Sequence, residues 1–416
     1  MTGAPKYTKQ FDYNYRAWPL FALGFIRLFY VSIFERALQN YLYFTININE
    51  STLGFISSAG AIAYIFAPIL GQIITSKYLG IRKALILNCI LTPLLTGVQI
   101  FYTEAWFLLV VRIILGLAMG LYWPNALSML SKWQKVSSIE KSKKNFAQFN
   151  FSWNSGFIIG LSIGFLWAFY WNDYFAMLIS WFLSFTLIPI SFFLEKDDKY
   201  NLTESKVIYQ TEDPLSHLDL EQDLRVNSQT PMIIYSIFYS WICIMFLAIA
   251  KSILNFGFPV ILKAFDNPSY LTYIIQGGLQ FFQLLGLTWI NSMRIYNRKL
   301  ASLISVSVIG LCALLIVLVN NLWLISIITI ITGLFLGFIH GVGMKIMLEY
   351  GTARNTSKYA SINEIIIGIG FGVTPIIAGY VVEVDIYAIY RFVVILGIIS
   401  LTFLIYLSKN IKKIKV

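Results

Sequence analysis

Trp106, Gly116 and Gly120 recur as Trp323, Gly333 and Gly337, each 217 residues after its counterpart. Arg82-Lys83 returns as Arg298-Lys299, and the pair Arg36 and Asn40 returns in kind as Lys251 and Asn255, at offsets of 216 and 215. A chain of 416 residues that repeats itself at about half its length is built from two similar units in tandem. Where the units are bundles of membrane helices, this layout suits a machine that rocks one half against the other.

The composition makes them membrane bundles. Hydrophobic residues are 58% of the chain and charged residues 12%, against about a quarter charged in soluble domains. Apolar runs long enough to cross a bilayer, about 20 residues each, fall at 17–44, 52–78, 84–102, 106–130, 146–171 and 174–194. A second set falls at 232–259, 269–290, 300–320, 323–348, 360–382 and 387–407. The expectation is an all-α integral membrane protein with twelve transmembrane helices in two six-helix halves. Its parts are a tail 1–16, a bundle 17–194, a polar linker 195–231, a second bundle 232–407 and a basic tail 408–416. Residues 1–16 are polar and basic, and the run after them is too long for a cleaved signal sequence. Cys89, Cys243 and Cys312 all fall inside spans and read as small core residues.

Charge sets the orientation. With the N-terminus inside, all but six of the 31 Lys and Arg residues fall on internal segments, the exceptions being Arg27, Arg36, Arg112, Lys251, Lys263 and Arg391. The external loops hold mainly Glu50, Glu104, Asp173, Asp266, Glu383 and Asp385. Both termini are therefore expected in the cytosol, with the protein in the cell membrane. The net charge of +11 is thereby accounted for by topology, and nucleic acid is not an expected partner.

On the fourth span, Arg112 is followed by Gly116, Gly120 and Pro124. Between the second and third spans, Gly71 leads to Gly80, Arg82 and Lys83. Gly156, Gly160 and Gly164 line one face of the fifth span, and Pro375 lies in a glycine-rich eleventh. These stretches resemble the fourth-helix signature, the loop motif and the glycine-rich helix of the major facilitator superfamily. The resemblance implies two six-helix halves, a central site and alternating access, and it leaves the subfamily open. Two departures stand out. Thr75 or Lys77 stands where the loop motif carries an acid, and Leu161 stands where antiporters carry proline. The glycines have a physical reading of their own, since small residues four apart let helices approach closely.

Charges inside the bilayer cost roughly 2.5–3.5 kcal/mol each, so each needs a reason. Glu35 and Arg112 fall at similar depth, roughly 10–14 Å below the outer surface at ~1.5 Å per residue, and are expected to interact. Glu35, held by Arg112, is the candidate proton-coupling group. Arg36 with Asn40 and Lys251 with Asn255 occupy equivalent places in the two halves. Two cations and two amides suit a carboxylate or phosphate better than a neutral solute. Gln276, Gln280 and Gln283 share one face of the eighth span, and Trp153 and Asn154 sit on the fifth. All of these are candidate cavity residues. His340 is expected to be hydrogen-bonded to a neighbour.

The chain has no Gly-rich phosphate loop with a Lys and no metal-ligand or nucleophile–base cluster. An enzyme, an ATP-driven pump, a metal and a cofactor are therefore not expected. The function expected is secondary transport of a small solute by a single protomer in the lipid bilayer, for an organic anion coupled to H+. The alternatives are an exporter of amphipathic drugs or lipids, and a non-transporting scaffold or sensor with the same fold.

Overall fold

A computed structural model of the chain describes residues 15–135, 139–196, 232–293, 297–353, 356–409 and 412–414. The expected tail 1–16 and linker 195–231 lie almost wholly outside these residues.

In the first half, α1 spans Trp18–Asn40 and runs on as a π-helical turn, Tyr41–Thr45. Then come α2 (Glu50–Ile74), a second π-helical turn (Thr75–Leu79), α3 (Gly80–Phe101), α4 (Ala105–Met119) and α5 (Trp123–Lys135). The half closes with α6 (Ile139–Tyr170), α7 (Asp173–Ser184) and α8 (Leu187–Phe192). The second half holds α9 (Ile237–Ala264), α10 (Leu271–Ser292), α11 (Arg298–Leu318), α12 (Leu322–Ala353), α13 (Thr356–Val384) and α14 (Ala388–Lys409). One short ladder joins β1 (Met232–Ile234) antiparallel to β2 (Lys412–Ile414), Met232 facing Ile414; it is too short to change the helical class.

Local chemistry sets the helix starts. Pro19 opens α1, where its missing N–H costs nothing. Asn49 and Asn172 cap α2 and α7 by accepting from the backbone N–H groups of Thr52 and Phe175 at 3.2 and 2.8 Å. Asn321 does the same for the start of α12, accepting from Trp323 and Leu324. Gly80, at φ 73°, turns the chain straight from the π-helical turn into α3, so the expected loop motif is mostly helix.

Among the described residues, ten helical segments are long and apolar enough to cross a membrane. One of them, Glu50–Phe101, joins α2 and α3 in 52 residues, and α10 is not among the ten. Its three glutamines lower the hydropathy of a helix that is otherwise 22 residues long. Two expected spans are each split. The fourth breaks between Met119 and Trp123, just ahead of Pro124, and the sixth breaks between α7 and α8. The fifth and tenth run past the apolar stretch into polar sequence, as in the Ile139–Lys144 turn of α6.

The repeat is visible in the packing. A Cβ at Gly116 on α4, or at Gly120 just past its end, would strike the carbonyls of Gly60 and Ala67 on α2. A Cβ at Gly333 or Gly337 on α12 would strike those of Leu279 and Gln283 on α10. The repeated glycines thus make the same helix crossing in each half. Trp106 and Trp323, exposed by 67% and 68%, mark the same point on the two rims. Large apolar side chains such as Phe66, Leu318 and Ile398 cover the outside, as a multi-pass membrane protein requires.

The two halves meet chiefly through α2 with α13 and α6 with α10. Gly54 abuts the carbonyl of Pro375, Gly379 abuts the Glu50 backbone, and Gly164 abuts the Tyr273 ring. Ser51 N donates to Glu383 Oε1 at 3.1 Å, and Lys263 Nζ donates to the Tyr43 carbonyl at 2.6 Å and Asn47 Oδ1 at 2.9 Å. These contacts lie at one end of the bundle, here termed distal, away from the ends of α1 and α14 nearest the chain termini.

Candidate functional site

Glu35 on α1 and Arg112 on α4 meet, with Arg112 Nη2 2.5 Å from Glu35 Oε2. Arg112 Nη1 also donates to the Ile56 carbonyl on α2 at 3.4 Å. The arginine side chain is 8% exposed, whereas that of Glu35 is 42% exposed. The Glu35 carboxylate is thus the accessible member of the pair, five residues before the distal end of α1. Two turns earlier on α1, Arg27 is wholly buried and donates to Asn88 Oδ1 at 2.5 Å and Met119 Sδ at 3.1 Å. Its guanidinium lies 4.2 Å from the centre of the Tyr122 ring.

The next residue on α1, Arg36, belongs to the inter-half site. Arg36 Nε donates to Gln276 Oε1 on α10 at 2.6 Å, while its Nη1 and Nη2 reach only the Asn255 carbonyl on α9, at 3.4 and 3.5 Å. Lys251 Nζ donates to Gln280 Oε1 and Gln283 Oε1, each at 2.7 Å. Gln280 Nε2 in turn donates to Asn154 Oδ1 on α6 at 3.4 Å. The i, i+4, i+7 spacing of the glutamines puts their three side chains on one strip of α10, and both cations hold to that strip. Arg36, Asn255, Thr272, Gln276 and Thr329 line a small cavity there, with Leu254 and Phe258 as apolar walls.

The bonding leaves a surplus of donors. Neither Arg36 nor Lys251 pairs with an acid among the described residues. Among the described residues, Lys251 makes two hydrogen bonds and keeps one N–H over, the guanidinium fork makes only long contacts, and the Nε2 groups of Gln276 and Gln283 donate to no protein atom. The acceptors are already spent on the cations. Such a site favours a ligand rich in acceptors and negative charge.

Asn40, expected beside Arg36 in the cavity, instead joins the distal closure. It donates to Asp173 Oδ1 at 3.1 Å, to the Ser269 carbonyl at 3.1 Å and to Thr272 Oγ1 at 2.9 Å. Asp173, the first residue of α7, also accepts from Ser269 Oγ at 2.5 Å and Tyr273 OH at 2.8 Å. Sequence reasoning placed Asp173 in a loop. The one signal it offered is that the second unit has Ala388, Ile389 or Tyr390 at the matching offsets. A second cross-half acid, Glu364 on α13, accepts from Tyr64 OH on α2 at 3.1 Å.

Trp153 donates through Nε1 to Asn150 Oδ1 at 3.1 Å and packs edge-on to Trp123, with ring centroids 6.1 Å apart. It belongs to an aromatic cluster with Trp123 and Phe149 on the N-terminal half. His340 differs from expectation: its Nδ1 is buried without a hydrogen-bond partner among the described residues, although Lys251 on α9 lies near enough to act on it electrostatically. At the loop motif, Thr75 Oγ1 accepts from Asn125 Nδ2 at 2.9 Å, a neutral link where the family motif has an acid. Gly71 abuts the Gly120 carbonyl, and Arg82 Nη2 donates to the Phe192 carbonyl at 2.8 Å, while Lys83 is exposed. On α6, Gly156 and Gly160 abut the carbonyls of Phe25 and Phe29 on α1.

The model for the Major Facilitator Superfamily matches residues 20–244 and, again, 240–415, one match for each half. The chain belongs to the Major Facilitator Superfamily. Solved transporters of this superfamily's general shape resemble it in fold. The nucleoside transporter NupG is 16% identical with a TM-score of 0.67, over 95% of this chain and 99% of that one. A POT family transporter in complex with 5-aminolevulinic acid is 14% identical with a TM-score of 0.67, over 94% and 95% of the two chains. A peptide transporter POT is 13% identical with a TM-score of 0.66, over 95% of each. No curated protein sequence matches significantly.

Proposed function

We propose that this member of the Major Facilitator Superfamily is a secondary active transporter of a small organic anion, working by alternating access and coupled to protons. In this reading it crosses the membrane twelve times, counting α2 and α3 separately and including α10. The halves are 17–194 and 232–407, joined by the linker 195–231. Both termini are cytosolic, the distal end faces outward, and one protomer is the working unit in the cell membrane.

One observation carries the substrate class: two cations inside the helix bundle, one from each half, are hydrogen-bonded among the described residues only to neutral oxygens and stand beside unused donors. Burying a cation is expensive, and evolution had an acid within reach at Glu35 yet paired it with Arg112. A site left positive and donor-rich is completed by an anionic solute. The fold neighbours are transporters of nucleosides and peptides, so fold does not choose the solute and the side chains must.

In this reading, the contacts at the distal end and the accessible Glu35 support an inward-facing state of the cycle. Anion leaving the cations releases Arg36 from a charge it shared with the other half. Proton exchange at Glu35, reached from the open side, then alters its hold on Arg112 and on α2 behind it.

The test is uptake into proteoliposomes against a panel of organic anions, neutral nucleosides, peptides and amphipathic cations, with and without an imposed pH gradient. Uptake of at least one small anion, accelerated by a pH gradient and made indifferent to it by Glu35→Gln, is expected. Flux of neutral or cationic solutes alone would sink the anion reading, and gradient-driven uptake that survives Glu35→Gln would remove the coupling role.

A further inference from the structure

The ladder on α10 also says how the negative charge of the solute is distributed. Arg36 is held at Gln276, whereas Lys251 is held between Gln280 and Gln283. Four to seven residues along a helix correspond to roughly 6–10 Å, so the two cations are fixed at different levels of the same strip. Each keeps its free donors at its own level: the guanidinium fork above the Asn255 carbonyl, and the remaining ammonium N–H beside Gln283.

A solute with one anionic group has to choose. To touch both cations it must draw one away from its glutamines, leaving those oxygens buried without a donor, since Gln280 and Gln283 are 4% and 5% exposed. A solute with two anionic groups about one helical turn apart meets both cations where they already stand. Building on the anion reading above, we infer that the substrate is a dianion, with a carboxylate or phosphate at each end of a short chain. A dicarboxylate and a phosphorylated carboxylic acid share this chemistry.

The bonding also assigns the two ends different partners. The guanidinium fork matches the two oxygens of a carboxylate in a bidentate pair, whereas the ammonium acts as a point charge that accepts either group. Arg36 is thus the end that reads shape, and Lys251 the end that reads charge. The apolar walls at Leu254 and Phe258 beside Arg36 suit a carbon chain leading away from that end.

Thermal stabilisation of the purified full-length protein by graded ligands tests this without assuming transport. The ligands are α,ω-dicarboxylates of increasing chain length, monocarboxylates of equal length, a phosphorylated carboxylic acid and inorganic phosphate. One dicarboxylate length or the phosphorylated acid is expected to bind at least about tenfold more tightly than any single-group anion. K251Q is expected to flatten the dependence on chain length while weak monocarboxylate binding persists. Equal binding of monocarboxylates, or inorganic phosphate as good as the best dianion, would overturn the two-group inference and leave the anion reading standing. Stabilisation by no anion at all would overturn both. Which end-group the best ligand carries separates the dicarboxylate from the phosphorylated acid.

Discussion

Arg36 and Lys251 hold equivalent places in the two halves, yet they are wired differently. Every hydrogen-bond partner of Arg36 lies in the opposite half, on α9 and α10, whereas Lys251 bonds only to α10 of its own half. Their companions diverge as well. Asn40 donates into the distal closure around Asp173, while Asn255 contributes its backbone carbonyl to Arg36. The internal repeat therefore fixes where a residue stands and leaves its partner to the surrounding half. A rocking motion between halves must break the bonds of Arg36, and it carries Lys251 along with its partners intact.

That difference predicts the largest effect. Arg36→Ala removes both a solute contact and a bond between the halves. Losing a charge-assisted hydrogen bond costs about 1.5–3 kcal/mol, so anion uptake should fall roughly 10- to 100-fold. The distal end should also open more often in Arg36→Ala. Maleimide labelling of Ile33→Cys, buried at the contact of α1 with α6 and α10, should then rise when reagent is added from the distal side. The native cysteines are all buried and do not obscure the signal. Lys251→Ala should weaken uptake without changing labelling. Equal labelling in the two variants would erase the distinction drawn here between a bridging cation and a resident one.

How much of this was readable in the sequence follows from the same contrast. The halves, the glycine crossings and the glutamine strip all depend on spacing along one chain, and spacing is what a sequence displays. The Glu35–Arg112 pair was legible because bilayer depth can be counted from span ends. Asp173 was not legible, since an acid at a helix start is chemically the same whether it faces water or Ser269 and Tyr273 of the other half. The switch of Asn40 from cavity to closure escaped for the same reason: its partners come from α7 and α10, far away in sequence. The π-helical turns after α1 and α2 carry no recognisable residue pattern at all.

Asp173 gives the middle-sized effect. Its carboxylate accepts from Asn40 within its own half and from Ser269 and Tyr273 across the boundary, so opening the distal end strips it of two donors. Asp173→Asn keeps the size but sets an NH2 group against one of those donors. The mismatch should weaken the closed state by about 1–3 kcal/mol, seen as raised distal labelling of Ile33→Cys with uptake reduced severalfold. Labelling unchanged from the parent protein would mean that the closure rests on the Gly54–Pro375 and Gly379–Glu50 backbone contacts, with Asp173 a bystander.

The smallest effect is expected at His340, and it sharpens the asymmetry between the halves. Histidine is the side chain that most readily titrates near neutrality, and this one sits on α12 at the position matching Trp123 of the first half. Its Nδ1 has no hydrogen-bond partner among the described residues, so a change of its charge would reach the helices around it only through the field it shares with Lys251. Glu35 is placed differently, in contact with an arginine that also holds the α2 backbone. His340→Gln should therefore leave both the rate of anion uptake and its dependence on a pH gradient within about twofold of the parent, a change worth less than ~0.5 kcal/mol. If His340→Gln instead flattened the pH dependence while Glu35→Gln preserved it, proton handling would belong to the second half. The acid retained only in the first copy of the repeat would then be a structural ion pair that anchors α1 to α4.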